Sequence, residues 1–230
     1  MKVLDIREPG AIEAVADAVQ TAPVVVQLPT VFVLLAAPTS DGARQLDRTK
    51  SRLPGKTYGT AIGSFERFLA QARSDALPHE YATASPFDAL TGSFVRLRFR
   101  DESFESAAIR SGTHQGVLLE GLHRALFRRI EDTFDGAPPD PLWGGRNLGA
   151  PLCTSCNESG DPDGSIVGID KAVAFARSRR LALLLTGPTA PGELGSYPIL
   201  GFERDRVRVH RAGPGLVAAQ ARIPERLRSW

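Results

Sequence analysis

No apolar run in the 230-residue chain approaches the roughly 20 residues that a membrane-spanning helix needs. The opening residues, MKVLDIREPG, lack the basic-then-apolar layout of a secretory leader. Both absences argue against membrane insertion and export, so the expected location is the cytoplasm, with no membrane partner. Cysteine is scarce as well, with 2 residues, Cys153 and Cys156. One pair three residues apart cannot staple a fold of this size, which suits a reducing compartment. Neither sign of charge dominates. A net charge of +2 and a pI near 8.7 permit an anionic substrate or a weak nucleic-acid contact and require neither. Internal repeats and low-complexity blocks are also missing. The loop-rich stretch DGAPPDPLWGGRNLGAP at 135–151 has apolar segments on both sides, so it reads as a long surface connection inside one domain spanning 1–230.

What is present is an ordinary globular composition with mixed periodicities. Ile12, Val15, Ala16 and Val19 fall at i, i+3, i+4 and i+7, which predicts a helix over 11–20. PVVVQLPT and VFVLLAA are short, continuously apolar and β-branched, the pattern of buried strands flanking Pro29. Helices are predicted over roughly 40–50 and over 64–72, where Phe65, Phe68, Leu69 and Ala72 share one face. SFVRLRFR at 93–100 alternates apolar and basic residues, the pattern of a strand with one buried face. The run 117–134 has a helical period, GIDKAVAFARSRR reads as a helix, and LALLLTG as a buried strand. YPILGFERDRVRVHR reads as a closing hairpin. Helices and strands mixed throughout place the chain in the α/β (α+β) class.

Each chemical signal is weak taken singly. C-x-x-C at 153–156 has no second pair of ligands nearby in sequence, and a lone pair of this kind is more often structural than a zinc or redox site. LPGKT at 53–57 ends like a phosphate-binding P-loop, but Lys50 stands where that loop needs its first glycine. What remains is a cation cluster, Lys50, Arg52 and Lys56, suited to a triphosphate and equally readable as a solvated basic loop. TSCNESG offers two hydroxyls, an amide and a glycine to a phosphate, or else satisfies its own turn. Arg110 and His114 precede a predicted helix whose N-terminus favours an anion, although a histidine there is more often a cap or a surface residue. Arg211 adds a cation at the end of a strand. No carboxylate cluster is evident, so no metal-ligating residues are assigned.

The order of these signals is more specific than any one of them. LPT, TKSRLPGK, IRSGTH, TSCNESG, GPTAPGELGS and VRVHRAGPG occur in succession, and this succession resembles the Sua5/YrdC/YciO family, the threonylcarbamoyl-adenylate synthases of t6A tRNA modification. Pro29 and Thr30 match the family's P-T element, Lys50-Ser51-Arg52 its K-x-R, and Arg110 to His114 its R-V-x-x-H. Thr154, Ser155, Cys156, Asn157, Glu158, Ser159 and Gly160 match T-S-A-N-x-S-G, with Cys156 in the alanine position. Ser196 and Arg211 match G-x-x-S-T and R-x-G, with Tyr197 in place of threonine. Other departures are Val31 where the family is acidic, a missing Y-G-L glycine, and a segment from Pro29 to Lys50 about three residues short. The likeness covers about 10–215 and leaves 216–230 as a C-terminal tail.

The resemblance implies a YrdC-like twisted, mixed parallel and antiparallel sheet flanked by helices, with a concave basic face. It implies that ATP, bicarbonate and L-threonine, or another small amino acid, give a carbamoyl-adenylate and pyrophosphate. By the same resemblance Lys50 and Arg52 are the catalytic residues. Lys56, Arg110, Thr154, Ser155, Asn157, Ser196 and Arg211 bind ATP and its phosphates, and Thr30 and His114 face the amino acid and bicarbonate. Mg²⁺ would be held mostly by phosphate and water. The other readings are a non-catalytic nucleotide- or RNA-binding relative, to whose basic face Arg96, Arg98 and Arg100 would contribute, and a domain with an unrelated ligand.

Overall fold

The continuously apolar runs become inner strands of one sheet, because a strand covered on both faces needs apolar side chains on both. The computed structural model describes residues Met1–Trp230. The elements in chain order are β1 (Lys2–Asp5), α1 (Ala11–Val19), β2 (Val24–Gln27), β3 (Phe32–Ala36), α2 (Ser40–Lys50), β4 (Gly59–Ile62) and α3 (Phe65–Leu69). They continue with β5 (Ser93–Arg98), β6 (Thr113–Leu118), α4 (Gly121–Thr133), β7 (Leu152–Ser155), α5 (Ile169–Ser178), β8 (Leu183–Thr186), β9 (Ile199–Glu203), β10 (Arg206–Arg211) and α6 (Leu216–Ala221). Short 3-10 turns fill the connections. All ten strands form one sheet in the order β1-β8-β2-β3-β7-β4-β6-β5-β9-β10. The pairs β1/β8, β2/β8, β4/β6 and β5/β9 are parallel and the rest antiparallel, so the sheet is mixed as expected.

Alternation divides the core. Val24 and Val26 of β2 pack with α1 and α4, together with Ala61, Val117 and Leu126. Val25, between them, faces the opposite side with Leu34, Leu46, Ala172 and Leu152. A third cluster, with Ile62, Val95, Leu97, Leu200 and Phe202, continues that second face under α3 and α6. One face of the sheet is therefore covered along its length. The other is covered where α1 and α4 lie and left open at Gly59, Phe94 and Gln115 and along Arg96, Arg98, Gly201 and Glu203.

Several expected boundaries change. The helix expected over 117–134 begins at Gly121, because Val117 and Leu118 pair with Ala61 and Ile62 of β4 and complete β6. The sheet claims these residues before the helical period begins. The helix expected over 64–72 stops at Leu69, and Ala72 instead bridges Phe99. The connection at 135–151 is not wholly at the surface: Leu142 and Trp143 are buried, and Trp143 Nε1 donates to Pro38 O at 2.8 Å. The core also exceeds 10–215. β1 pairs with β8, and the stretch expected as a tail buries Ala219 of α6, then Ile223 and Leu227 beyond it, against the third cluster.

The approach of α4 to the end of β4 fixes the helix on the sheet. A Cβ on Gly63 would lie 2.3 Å from the backbone nitrogen of Arg128, so only glycine fits. Buried Glu131 caps the crossing, accepting from the Gly63 and Ser64 amides at 2.7 and 2.9 Å. Burial pushes its carboxyl up to about 7 from 4.5, against the two amides and Arg67. A folded-state value above the unfolded one means that the native protein holds the extra proton. Stability contributed by this group is therefore complete below about pH 4.5 and is lost as pH rises through about 7. Glu131→Gln should flatten that part of the stability–pH profile and, by turning an amide toward two N–H donors, cost about 1–3 kcal/mol in denaturant unfolding. Gly63→Ala should cost about 1–3 kcal/mol through overpacking.

Candidate functional site

Gly59, Phe94, Gln115, Val31, Val33 and Cys153 line the uncovered part of the sheet and floor a cavity of about 310 Å³. Gly59 keeps the floor open, because a Cβ there would lie 2.8 Å from the Phe94 ring. Arg52, Lys56, Thr154, Ser155, Ser196 and Arg211 complete the walls, so six of the residues expected at a site converge from four separated segments. No carboxylate lines the cavity.

The loop after α2 places two of the cations. Ser51 ends the helix in the left-handed region at φ 49°, and the chain turns back to β4. Arg52 lies 4.3 Å over the Tyr58 ring, donates to Thr57 O at 2.6 Å and reaches Thr154 Oγ1 at 3.3 Å. Tyr58 is anchored by donating to Asp47 Oδ1 at 2.5 Å. Opposite, Arg211 donates twice to Tyr197 O, at 2.7 and 3.2 Å, with its guanidinium 5.7 Å from the Phe94 ring. Burial lowers the pKa of both arginines; Arg96 adds repulsion at Arg211, whereas Tyr58 and Asp47 partly offset the burial at Arg52. Arg211 arrives by a β-bulge: the register of β10 against β9 shifts between Val209 and Arg211. The extra residue lets His210 and Arg211 both face the open side, which strict alternation forbids.

The remaining expected residues lie elsewhere. Lys50 does not line the cavity. It is 2% exposed, and its ammonium donates to Ser155 O, to Asn157 O at 2.6 Å and to Asn157 Oδ1 at 3.0 Å. Burial, then Arg52 and Lys56, pull it down to about 8. Lys50 thus holds the TSCNESG turn from behind, because helix α2 ends underneath that turn and not beside the cavity. Asn157 belongs to the same support, its Oδ1 also accepting from Ser155 Oγ at 2.6 Å. His114 lies on the other face of the sheet, because Gln115 takes the cavity side of β6. It is 3% exposed, hydrogen-bonded to Thr60 Oγ1 at 3.2 Å and Gln71 Oε1 at 3.0 Å, and burial lowers it to about 3. It is a neutral core histidine, and no helix dipole lies at Arg110, since β6 follows. Arg110 donates to Gly55 O and lines an adjoining groove. Thr30 donates to Gly195 O at 2.8 Å and lines a separate pocket of about 350 Å³. The wall between that pocket and the cavity is Tyr197, buried and raised to about 12 chiefly by burial.

The cysteines point apart. Cys153 packs in the cluster under α1 and α4, and Cys156, three residues on, in the opposite one, as odd spacing along an extended chain requires. Burial raises both thiols to about 12, so neither is a thiolate at neutral pH. No three His, Cys, Asp or Glu side chains converge as a metal site anywhere in the chain. Sequence reasoning missed Gln115, Thr57 and His210. Alternation through His114 was a signal for Gln115, whereas nothing local marks the bulge that presents His210.

Two outcomes follow from this geometry. Lys50→Met should lower stability by about 3 kcal/mol, the upper range for hydrogen bonds made by a charged group, as read by chemical denaturation. Zn²⁺ in ten-fold excess should leave the melting temperature unchanged, and a rise would show that the two thiols chelate.

No protein-family model and no curated protein matches the sequence. Solved structures do resemble it. P. abyssi Sua5 carrying the changes H234A and Y235A superposes with a TM-score of 0.72 at 17% identity, over 99% of this chain and 65% of that one. The chain therefore spans about two thirds of the length of Sua5. The same protein in complex with L-threonine gives 0.72 at 16% identity, over 100% and 63%. E. coli YciO gives 0.60 at 11%, over 92% and 93%. Full-length HypF in its phosphate- and nucleotide-bound form gives 0.62 at 16%, over 87% of this chain and 28% of that one. With its mixed ten-stranded sheet and half-open face, the chain has the fold shared by Sua5, YciO and part of HypF.

Proposed function

We propose that the cavity binds ATP and that the protein forms an amino-acid carbamoyl-adenylate, with L-threonine as the reference amino acid, feeding tRNA modification. The observation carrying this reading is the charge balance of the cavity: Arg52, Lys56 and Arg211 line it with the serine and threonine hydroxyls of Thr57, Thr154, Ser155 and Ser196 and no acid. None of the three cations is in an ion pair. Cations gathered in one cavity without an ion pair repel one another, and an anion relieves that repulsion. Likeness of fold to a Sua5 solved with L-threonine and a HypF solved with phosphate and nucleotide supports the same ligand classes.

The chemistry suits such a site. The amino group and bicarbonate condense to a carbamate with loss of water. A carbamate oxygen then attacks the α-phosphorus of ATP, the bond to the β-phosphate oxygen breaks, and pyrophosphate leaves. Charge stays on oxygens throughout, so fixed cations and donors stabilise the transition state by being in place beforehand. Arg52 and Arg211 both line the cavity and are each oriented by a backbone carbonyl and an aromatic ring. They hold the reacting phosphate and carbamate, while Lys56 serves the polyphosphate. Thr154, Ser155 and Ser196 supply hydroxyls, and Ser196 Oγ is fixed at 2.6 Å from Ser165 Oγ. Lys50 and Asn157 act through the turn they hold and are positioning residues. Mg²⁺ enters as the MgATP substrate, coordinated by phosphate and water.

The apolar side of the cavity, Val31, Val33 and Tyr197, faces the amino acid. With no acidic group at Val31, a threonine hydroxyl finds fewer partners, so the reading extends to small amino acids generally.

Purified protein with MgATP, bicarbonate and a panel of amino acids should release pyrophosphate and yield a new adenylate mass. Absence of both for every amino acid overturns the catalytic reading. Arg52→Ala and Arg211→Ala should each lower kcat/KM at least ten-fold, in line with loss of about 1.5–3 kcal/mol from a charged hydrogen bond. Cys156→Ala, on the opposite face of the sheet, should leave ATP affinity within two-fold.

A further inference from the structure

A larger groove of about 480 Å³ adjoins the cavity on the same open face. The two share Thr57 and Gln115 in their linings, so the groove borders the cavity directly. Arg96, Arg98, Arg110 and His210 line the groove, and Glu203 is its one carboxylate. Glu203 is already engaged, accepting from Arg206 Nε at 2.6 Å with Arg208 Nε at 3.6 Å. The three arginines take part in no ion pair and spend their hydrogen bonds on neutral oxygens: Arg96 on Gln115 Oε1 at 2.6 and 3.1 Å, Arg98 on Ser111 O at 3.4 Å, Arg110 on Gly55 O.

The groove is built and is not an accident of loose surface arginines. Alternation puts Phe94, Arg96 and Arg98 of β5 in line on the open face, leading from the cavity into the groove. Gly201 of β9 lets the His210 ring lie flat on the sheet, since a Cβ there would come within 2.2 Å of Nε2. Burial and Arg96 lower the pKa of this histidine, which keeps it neutral among the arginines. The one exposed ring in the groove is the His210 imidazole, since Phe202, the one Phe, Tyr or Trp lining it, is buried at 2% exposure. A single imidazole is a small platform for stacking successive bases, which disfavours single-stranded RNA as its occupant. Guanidinium forks match phosphate oxygens, and three unpaired ones suit a group carrying several negative charges in a short span.

We infer that the Arg96/Arg98/Arg110 groove is an oligophosphate subsite that takes the β- and γ-phosphates of the nucleotide and is the route by which pyrophosphate leaves. This rests on the nucleotide reading of the adjoining cavity. The adenosine and α-phosphate occupy the cavity, and the chain of phosphates passes between Thr57 and Gln115. Arg96 has a second role, holding the Gln115 side chain by its oxygen, which leaves the amide nitrogen to face the passage.

Calorimetric titration with AMP, pyrophosphate and tripolyphosphate tests this in the full chain. Pyrophosphate should bind equally well, within two-fold, in the presence and absence of saturating AMP. Arg98→Gln, at a side chain whose one hydrogen bond is to Ser111 O, should weaken pyrophosphate and tripolyphosphate at least ten-fold and leave AMP within two-fold. Arg98→Lys should recover part of the loss, and Arg110→Gln should repeat it. Competition between AMP and pyrophosphate, or indifference of pyrophosphate to both glutamine variants, overturns the inference. So does binding of a single-stranded RNA oligonucleotide that is sensitive to Arg98→Gln where tripolyphosphate is not. If AMP and ATP fail to bind while pyrophosphate binds and responds to Arg98→Gln, the nucleotide reading falls and the anion groove stands.

Discussion

Successive side chains of an extended strand point to opposite faces of its sheet, and in this protein only one region of one face is left open. Every strand that crosses that region therefore gives alternate residues to the cleft and the intervening ones to the core. On β6, Gln115 reaches the cleft and His114 is packed against Phe68 and Trp143. On β5, Phe94, Arg96 and Arg98 reach it, while Val95 and Leu97 fill the third core cluster. Past β7 the same parity separates Cys153 from Cys156. Where a cation is needed out of phase, the sheet breaks its own register at Val209–Arg211.

The open region exists because α1 and α4 cover only part of that face, and α4 is fixed there by a close crossing. Gly63 admits the helix backbone and Glu131 satisfies the two amides that the turn into α3 exposes. Behind the cleft, Lys50 plays a comparable part for the TSCNESG turn. A buried ammonium surrounded by three oxygens holds the turn in one geometry, so Ser155 is presented to the cavity by a group that does not itself line it.

Much of this was legible before any coordinates. Period-2 and period-3.6 patterns located most elements, and the ordered run of short motifs pointed to this fold. The expectations that differ from the structure share a cause. Val117 and Leu118 carry a helical pattern but are held by pairing to β4, a contact that lies more than 50 residues away in sequence. Trp143, in a stretch of glycine and proline, is buried because Pro38 offers its indole an acceptor. Lys50, His114 and Thr30 match the motif positions, yet a motif states spacing along the chain and not which side of a sheet a residue faces.

The sequence alone establishes which segments are apolar and which cations and hydroxyls are available for an anion. Those are properties of local chemistry and short-range periodicity. Tertiary structure alone decided that Arg52, Lys56, Thr154, Ser155, Ser196 and Arg211 share one cavity, that Lys50 supports it from behind, and that Arg96, Arg98 and Arg110 extend it into a second groove. Strand order, the β10 bulge and the partial cover by α1 and α4 arise from pairings between distant segments, which no local pattern encodes.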